Sequence, residues 1–150
     1  MILICANSES QCVRQVLNEI FDLYKNDKAI SVLYINSTTP DLLSINFSNT
    51  PMSEDEEFMR RFQYEKMVNI QDMNTALDIL HIWPTVVVVE DVLMLIKGSN
   101  NSYLENSADL VKLFRVLKQM ELENGTVTFL LNEYNRFLEL NCTQTINASV

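Results

Sequence analysis

Four short apolar runs punctuate this sequence: Met1–Cys5 (MILIC), Ile30–Ile35 (ISVLYI), Thr85–Val89 (TVVVV) and Thr126–Leu131 (TVTFLL). Each is nearly continuous in apolar character instead of alternating, which is how a strand reads when both of its faces are buried. Between the runs, apolar residues recur at intervals of three and four. Val13, Val16, Leu17, Ile20 and Tyr24 form one helical stripe. Ser8 followed by Gln11 is a capping box at its start, in which each side chain satisfies the other's backbone N–H. Ile70, Met73, Ala76, Leu77 and Leu80 form a second stripe over Asn69–His81. Leu110, Leu113, Phe114, Leu117 and Met120 form a third over Ser107–Leu122, and Asn124-Gly125 is its stop signal. Strands alternating with helices call for an α/β domain: a mostly parallel central sheet of four to five strands with helices on both faces.

The remaining segments read less regularly. Residues 36–58 hold Pro40, Pro51, many Ser, Thr and Asn residues and the acidic run Glu54–Glu57, the composition of a long surface loop. Val92–Ile96 continues the apolar character of the third strand, and Lys97–Asn106 is polar and loop-like. Residues 132–150 read as a polar tail, within which Phe137–Ile146 can supply one more edge strand. There is no internal repeat, and residues 1–150 are expected to form a single domain.

Composition limits what such a domain can do. With 47% of 150 residues apolar and 21% charged, the chain can build a true core. Its net charge of −9 argues against strong nucleic-acid binding by this chain alone, because Lys and Arg contacts to phosphate supply most of that affinity. No apolar run approaches the roughly 20 residues needed to cross a bilayer; the longest is broken at Pro84 and at Glu90-Asp91. The first run starts at Ile2 with no basic region before it, so no secretory signal is expected, and the sequons at Asn36, Asn46 and Asn124 are expected to carry no glycan. Cys5, Cys12 and Cys142 are an odd number with no metal-like spacing and read as reduced thiols of a cytosolic or nuclear protein.

The succession VVVVED-VLMLIKG…LVKLFRVLKQMELENGTVTFLLN resembles the second half of a RecA-type core, from the Walker B strand to the strand after it. Arg61-Phe62-Gln63-Tyr64 and the helix at Asn69–His81 sit where recombinase paralogs have a comparable segment. The chain is similar, over roughly residues 1–132, to the small divergent recombinase paralogs that pair with SWIM-domain proteins in Shu-type complexes. The resemblance implies a truncated RecA-like three-layer sandwich. It also implies a nuclear, hetero-oligomeric subunit, partnered by a recombinase paralog or a SWIM-domain protein, that assists recombinase filaments on DNA in homologous recombination. Glu90 stands at the position of the family's magnesium-binding acid, and Asp91 follows it. The departure from the family is at the phosphate-binding loop. That loop needs glycines, so that backbone N–H groups can curl round phosphate, together with a Lys and a Ser/Thr. Between Cys5 and Val13 there is neither Gly nor Lys, and the only glycines of the chain are Gly98 and Gly125. A helix N-terminus capped by Ser8 holds an anion weakly at best. No cofactor, metal or catalytic residue is therefore expected, and Glu90 and Asp91 read as a degenerate Walker B position.

Other candidates carry less chemistry. Trp83-Pro84-Thr85 before a strand is similar to the cis-proline segment of thioredoxin-like folds, and Gly98 could end a following hairpin strand. This alternative, an interaction domain without redox activity, requires Val92–Ile96 to pair back antiparallel on Thr85–Val89; there is no Cys-x-x-Cys. His81, the only histidine, lies between apolar neighbours and reads as a helix-end residue. Lys112, Arg115 and Lys118 at three-residue spacing form a basic stripe, and Arg60, Arg61 and Lys66 form a second basic cluster. These six are the candidate DNA contacts. Some methionines and aromatics are candidates for a partner-binding face, since Met adapts to irregular surfaces.

Overall fold

The computed structural model describes residues 1–36, 40–97 and 103–149. Its six strands are β1 (Ile2–Cys5), β2 (Val32–Asn36), β3 (Phe62–Glu65), β4 (Val86–Glu90), β5 (Val127–Leu131) and β6 (Gln144–Asn147). They form one sheet in the order β3-β2-β4-β5-β1-β6, and every pairing is parallel. The helices are α1 (Glu9–Asn26), α2 (Pro40–Ser48), α3 (Glu56–Arg60), α4 (Ile70–Asp78), α5 (Val92–Lys97), α6 (Tyr103–Asn124) and α7 (Arg136–Asn141), with a 3-10 turn at Pro51–Glu54.

The strand runs are apolar on both faces because both faces are covered. In β4, Val86 and Val88 pack with α1, α2 and α3, whereas Val87 and Val89 pack with α4, α5, α6 and α7. All four valines are fully buried, each contributing roughly 1.5–3 kcal/mol through removal of apolar surface from water. The result is the three-layer α/β arrangement expected from the alternation of elements. The sheet has six strands, more than the four to five expected.

Caps behave largely as their residue types dictate. Ser8 Oγ accepts the Gln11 N–H at 3.3 Å and donates to Gln11 Oε1 at 3.2 Å, so the first half of the capping box forms and the Gln11 side chain returns to the hydroxyl instead of the backbone. Asn69 caps α4 by accepting from the Asp72 N–H at 2.9 Å. At the end of α6, Gly125 takes φ +71°, with its N–H on Glu121 O and that of Thr126 on Met120 O. The Gly125 N–H to Glu121 O bond is the five-to-one closure of a left-handed C-cap, which glycine permits.

The structure corrects or completes the sequence expectations at several segments. The segment 36–58 is not a long loop: its described part from Pro40 holds α2, the 3-10 turn and most of α3, bound into the core by Leu43, Phe47, Met52 and Phe58. Arg61-Phe62-Gln63-Tyr64 is mostly strand, since Phe62–Glu65 is β3 at the sheet edge. Val92–Lys97 is helix α5 and not a strand continuation. The hairpin required by the thioredoxin-like alternative therefore does not form, and no cis peptide occurs among the described residues. Beyond β5, the expected further edge strand is present as β6, which pairs with β1 from Ile2↔Gln144 to Cys5↔Asn147, but the earlier part of the segment Phe137–Ile146 belongs to helix α7. Of the expected loop at Lys97–Asn106, Lys97 ends α5 and residues 103–106 begin α6, so those are helix; Gly98 and the rest lie outside the described residues.

Candidate functional site

In an open parallel sheet, ligands bind beyond the carboxyl ends of strands at the point where successive crossovers leave in opposite directions. Here that point lies between β1 and β5. The crossover from β1 runs through α1 on one face towards β2, and that from β5 runs through α7 on the other face towards β6. A cleft of about 270 Å³ opens there, bounded by Ala6-Asn7-Ser8, by Glu90 at the end of β4 and Asp91 after it, and by Asn132 and Glu133 after β5.

The turn from β1 into α1 consists of Ala6, Asn7 and Ser8 alone. The Asn7 N–H donates to Ser149 Oγ at 2.6 Å, and the Ser8 hydroxyl takes up the Gln11 N–H. Four carboxylates (Glu9, Glu90, Asp91 and Glu133) line the cleft, and no Lys, Arg or His lines it among the described residues. A polyphosphate entering here would meet like charge with no backbone loop to wrap it.

Glu90 and Asp91 are brought to this cleft, as their position at the end of the third strand implied, but they differ in kind. Glu90 is 3% exposed and accepts a hydrogen bond from the Tyr34 hydroxyl at 2.9 Å. Asp91 has φ +56°, a left-handed conformation uncommon outside glycine. Its N–H donates to Leu131 O at 2.6 Å, and its carbonyl accepts the Met94 N–H at 3.0 Å. It thus turns the chain from β4 directly into α5. Strained backbone of this kind concentrates at functional positions.

Sequence reasoning did not single out Tyr34, Cys12 as part of this site, or Asn132. Asn132 is 7% exposed; its N–H donates to Ile4 O at 3.1 Å and its Oδ1 accepts the Leu93 N–H at 3.5 Å, tying β5, β1 and the start of α5 together. A buried asparagine directly after an apolar strand was the available signal. Nothing in the run ISVLYI marks the Tyr34 hydroxyl as a donor to Glu90. Burial, reinforced by Cys5, Glu90 and Glu9, pushes the Cys12 thiol up to about 11, and burial also raises Cys5 and Cys142. All three thiols are held protonated at neutral pH, which disfavours nucleophilic or redox chemistry. No group of three or more His, Cys, Asp or Glu residues is arranged to hold a metal among the described residues.

The basic candidates do not form one surface. Arg60 and Arg61 both pair with Glu57, at 3.4 and 3.6 Å, and precede β3, whereas Lys66 follows it. Five residues of strand rise separate Arg61 from Lys66 by about 17 Å. Lys112 pairs with Asp78 of α4 at 3.0 Å. Arg115 and Lys118 are exposed on α6. His81 is exposed after α4, outside the cleft.

No family model matches the sequence, and no curated protein matches it. Among solved structures, the chain is similar to a KaiC-like protein from the hyperthermophilic archaeon Pyrococcus horikoshii OT3, with a TM-score of 0.65 and 14% identity over 90% of this chain. The match spans 61% of the length of that protein. A six-stranded parallel sheet flanked by helices on both faces, superposable on that neighbour over nine-tenths of the chain, establishes that this protein has a RecA-like α/β fold.

Proposed function

We propose that this chain is a non-catalytic subunit that uses a RecA-like fold for binding. In this reading it joins a recombinase paralog or a SWIM-domain protein in a nuclear homologous-recombination assembly. DNA is met through the complex, and the assembly assists recombinase filament formation. One observation supports it above the others. Where a RecA-type ATPase needs a glycine- and lysine-bearing loop, this chain has the three-residue turn Ala6-Asn7-Ser8, with Asn7 tied to Ser149, facing four carboxylates. Positioning and charge stabilisation of phosphate are nearly all that a phosphoryl-transfer enzyme contributes, and this turn supplies neither.

The test has two parts. Calorimetric titration of the purified chain with ATP and Mg²⁺ is expected to give no binding at millimolar nucleotide. Reconstitution with a recombinase paralog or SWIM-domain protein is expected to give a stable complex that stimulates strand exchange regardless of substitutions at Glu90 and Asp91 that preserve folding. Stimulation that requires ATP turnover by this chain would overturn the reading.

A further inference from the structure

The long helix α6 has two faces, and among the described residues only one of them is buried by the fold. Leu110, Leu113, Phe114, Leu117 and Met120 are buried against the sheet. On the opposite side Leu104, Ala108, Val111, Arg115, Lys118 and Leu122 follow one another at alternating intervals of four and three, and all are exposed. Leu104, Val111 and Leu122 are 78%, 52% and 88% exposed. At 1.5 Å per residue this stripe is about 27 Å long, the length of a coiled-coil seam of nearly three heptads.

The stripe is widened on one side by α7. Phe137 stacks on Phe114, with ring centroids 5.9 Å apart, and remains 47% exposed; Leu140 is 70% exposed. Lys118 lies on this same side, close enough for its charge to act on Cys142 at the end of α7. Lys112 is neutralised by Asp78, but Arg115 and Lys118 have no ion pair among the described residues. In a chain with 20 acidic and 11 basic residues, two unneutralised cations flanked by exposed leucine and valine are a specific arrangement.

We propose that the outer face of α6, with the exposed rim of α7, is a docking surface for an amphipathic helix of a partner protein. That helix carries apolar residues opposite Leu104, Val111 and Leu122 and carboxylates opposite Arg115 and Lys118. Charge complementarity selects this occupant. A second copy packed parallel along the same stripe would set Arg115 and Lys118 against their own copies, and an antiparallel one would set them opposite Val111 and Ala108; neither arrangement supplies a carboxylate to neutralise them, and unpaired or like charges in a seam are destabilising. Duplex DNA would neutralise Arg115 and Lys118 but would leave the apolar ends of the stripe unburied. None of the stripe residues lines the cleft, and the proposal does not depend on what the assembly does.

The test uses the full chain and a fluorescein-labelled synthetic three-heptad helix with Leu at the positions that face Leu104, Val111 and Leu122 and Glu at those that face Arg115 and Lys118. Fluorescence anisotropy is expected to show saturable binding that weakens at least about tenfold when Lys replaces Glu in the peptide. Arg115→Glu/Lys118→Glu is expected to reverse that preference, and Val111→Asp to weaken both peptides. Circular dichroism and thermal melting verify that these exposed substitutions leave the fold intact. Absence of binding, or equal binding of the Glu and Lys peptides to the unsubstituted chain, overturns the proposal. So does sedimentation showing self-association abolished by Val111→Asp, which assigns the face to a second copy. Binding of duplex DNA through this face, lost in Arg115→Glu/Lys118→Glu, overturns it in favour of nucleic acid.

Discussion

The Tyr34 hydroxyl on β2 donates a hydrogen bond to the Glu90 carboxylate on the adjacent strand β4 at 2.9 Å, with both residues buried. Burial first, and then the negative charge of Glu90, push the Tyr34 phenol well above its ordinary range, so it remains a donor at any working pH. A hydrogen bond to a charged group contributes about 1.5–3 kcal/mol. Tyr34→Phe is therefore expected to lower the unfolding free energy by about that amount, read from the shift of the urea midpoint at unchanged slope.

A second tyrosine–carboxylate contact, Tyr24 to Asp55, joins α1 to the start of α3. The Tyr24 hydrogen bond, followed by the Phe58 N–H, holds the Asp55 carboxyl below its usual value, while the same bond to Asp55 raises the Tyr24 phenol. The depressed carboxyl contributes stability that is present above the unfolded value of about 3.9 and is lost as pH falls through its folded value. The raised phenol contributes stability that is present below about 10 and is lost as pH rises through its folded value. The stability difference between the chain and its Tyr24→Phe variant should be a plateau across neutral pH that shrinks at both ends, measured by urea unfolding over a pH series.

Among the described residues two hold left-handed backbone, Asp91 at φ +56° and Gly125 at φ +71°. A Cβ on Gly125 would meet nothing within 4 Å, so only the backbone angle opposes a side chain there. Gly125→Ala is expected to cost about 1–2 kcal/mol through that angle alone. Asp91→Val should be less stable than Asp91→Asn by a similar amount, about 1–2 kcal/mol, because Asn tolerates this region and a β-branched residue does not. Thermal or urea denaturation of these variants checks both differences.

With Cys12 at about 11 and Cys5 and Cys142 also raised, native thiols should react slowly with an aromatic disulfide reagent at neutral pH. In denaturant all three cysteines should titrate promptly, as no disulfide occurs among the described residues. A fast-reacting equivalent in the native chain would show a thiolate that the folded environment does not favour.

Much of the fold was legible where one element carries its own signal. The four-valine run of β4, the stripes of α1, α4 and α6 and the Asn124-Gly125 stop all appear where their patterns placed them. The misread segments share a cause. Pro40 and Pro51 stand in the first turns of α2 and the 3-10 turn, where a missing N–H costs nothing, and so they begin helices that they were taken to exclude. Helices as short as α3 have too few residues to display a period, and Val92–Lys97 has the composition of a strand. β6, with the polar sequence QTIN, is a strand only because β1 offers it a ladder.

The candidate site was legible in part. Its acids, and the lack of glycine and lysine after β1, follow from residues adjacent in sequence. The Tyr34–Glu90 bond, the Asn7–Ser149 bond and the Phe114–Phe137 stack join residues distant in sequence, and no local pattern encodes them. By itself the sequence determined which faces of each element are apolar and which chemical groups stand at each strand end, because periodicity and residue type act locally. Only the tertiary structure decided which ends converge on one cleft and which face of α6 is left without a neighbour. Strand order and helix packing are chosen by non-local burial, and a single period along the chain does not specify them.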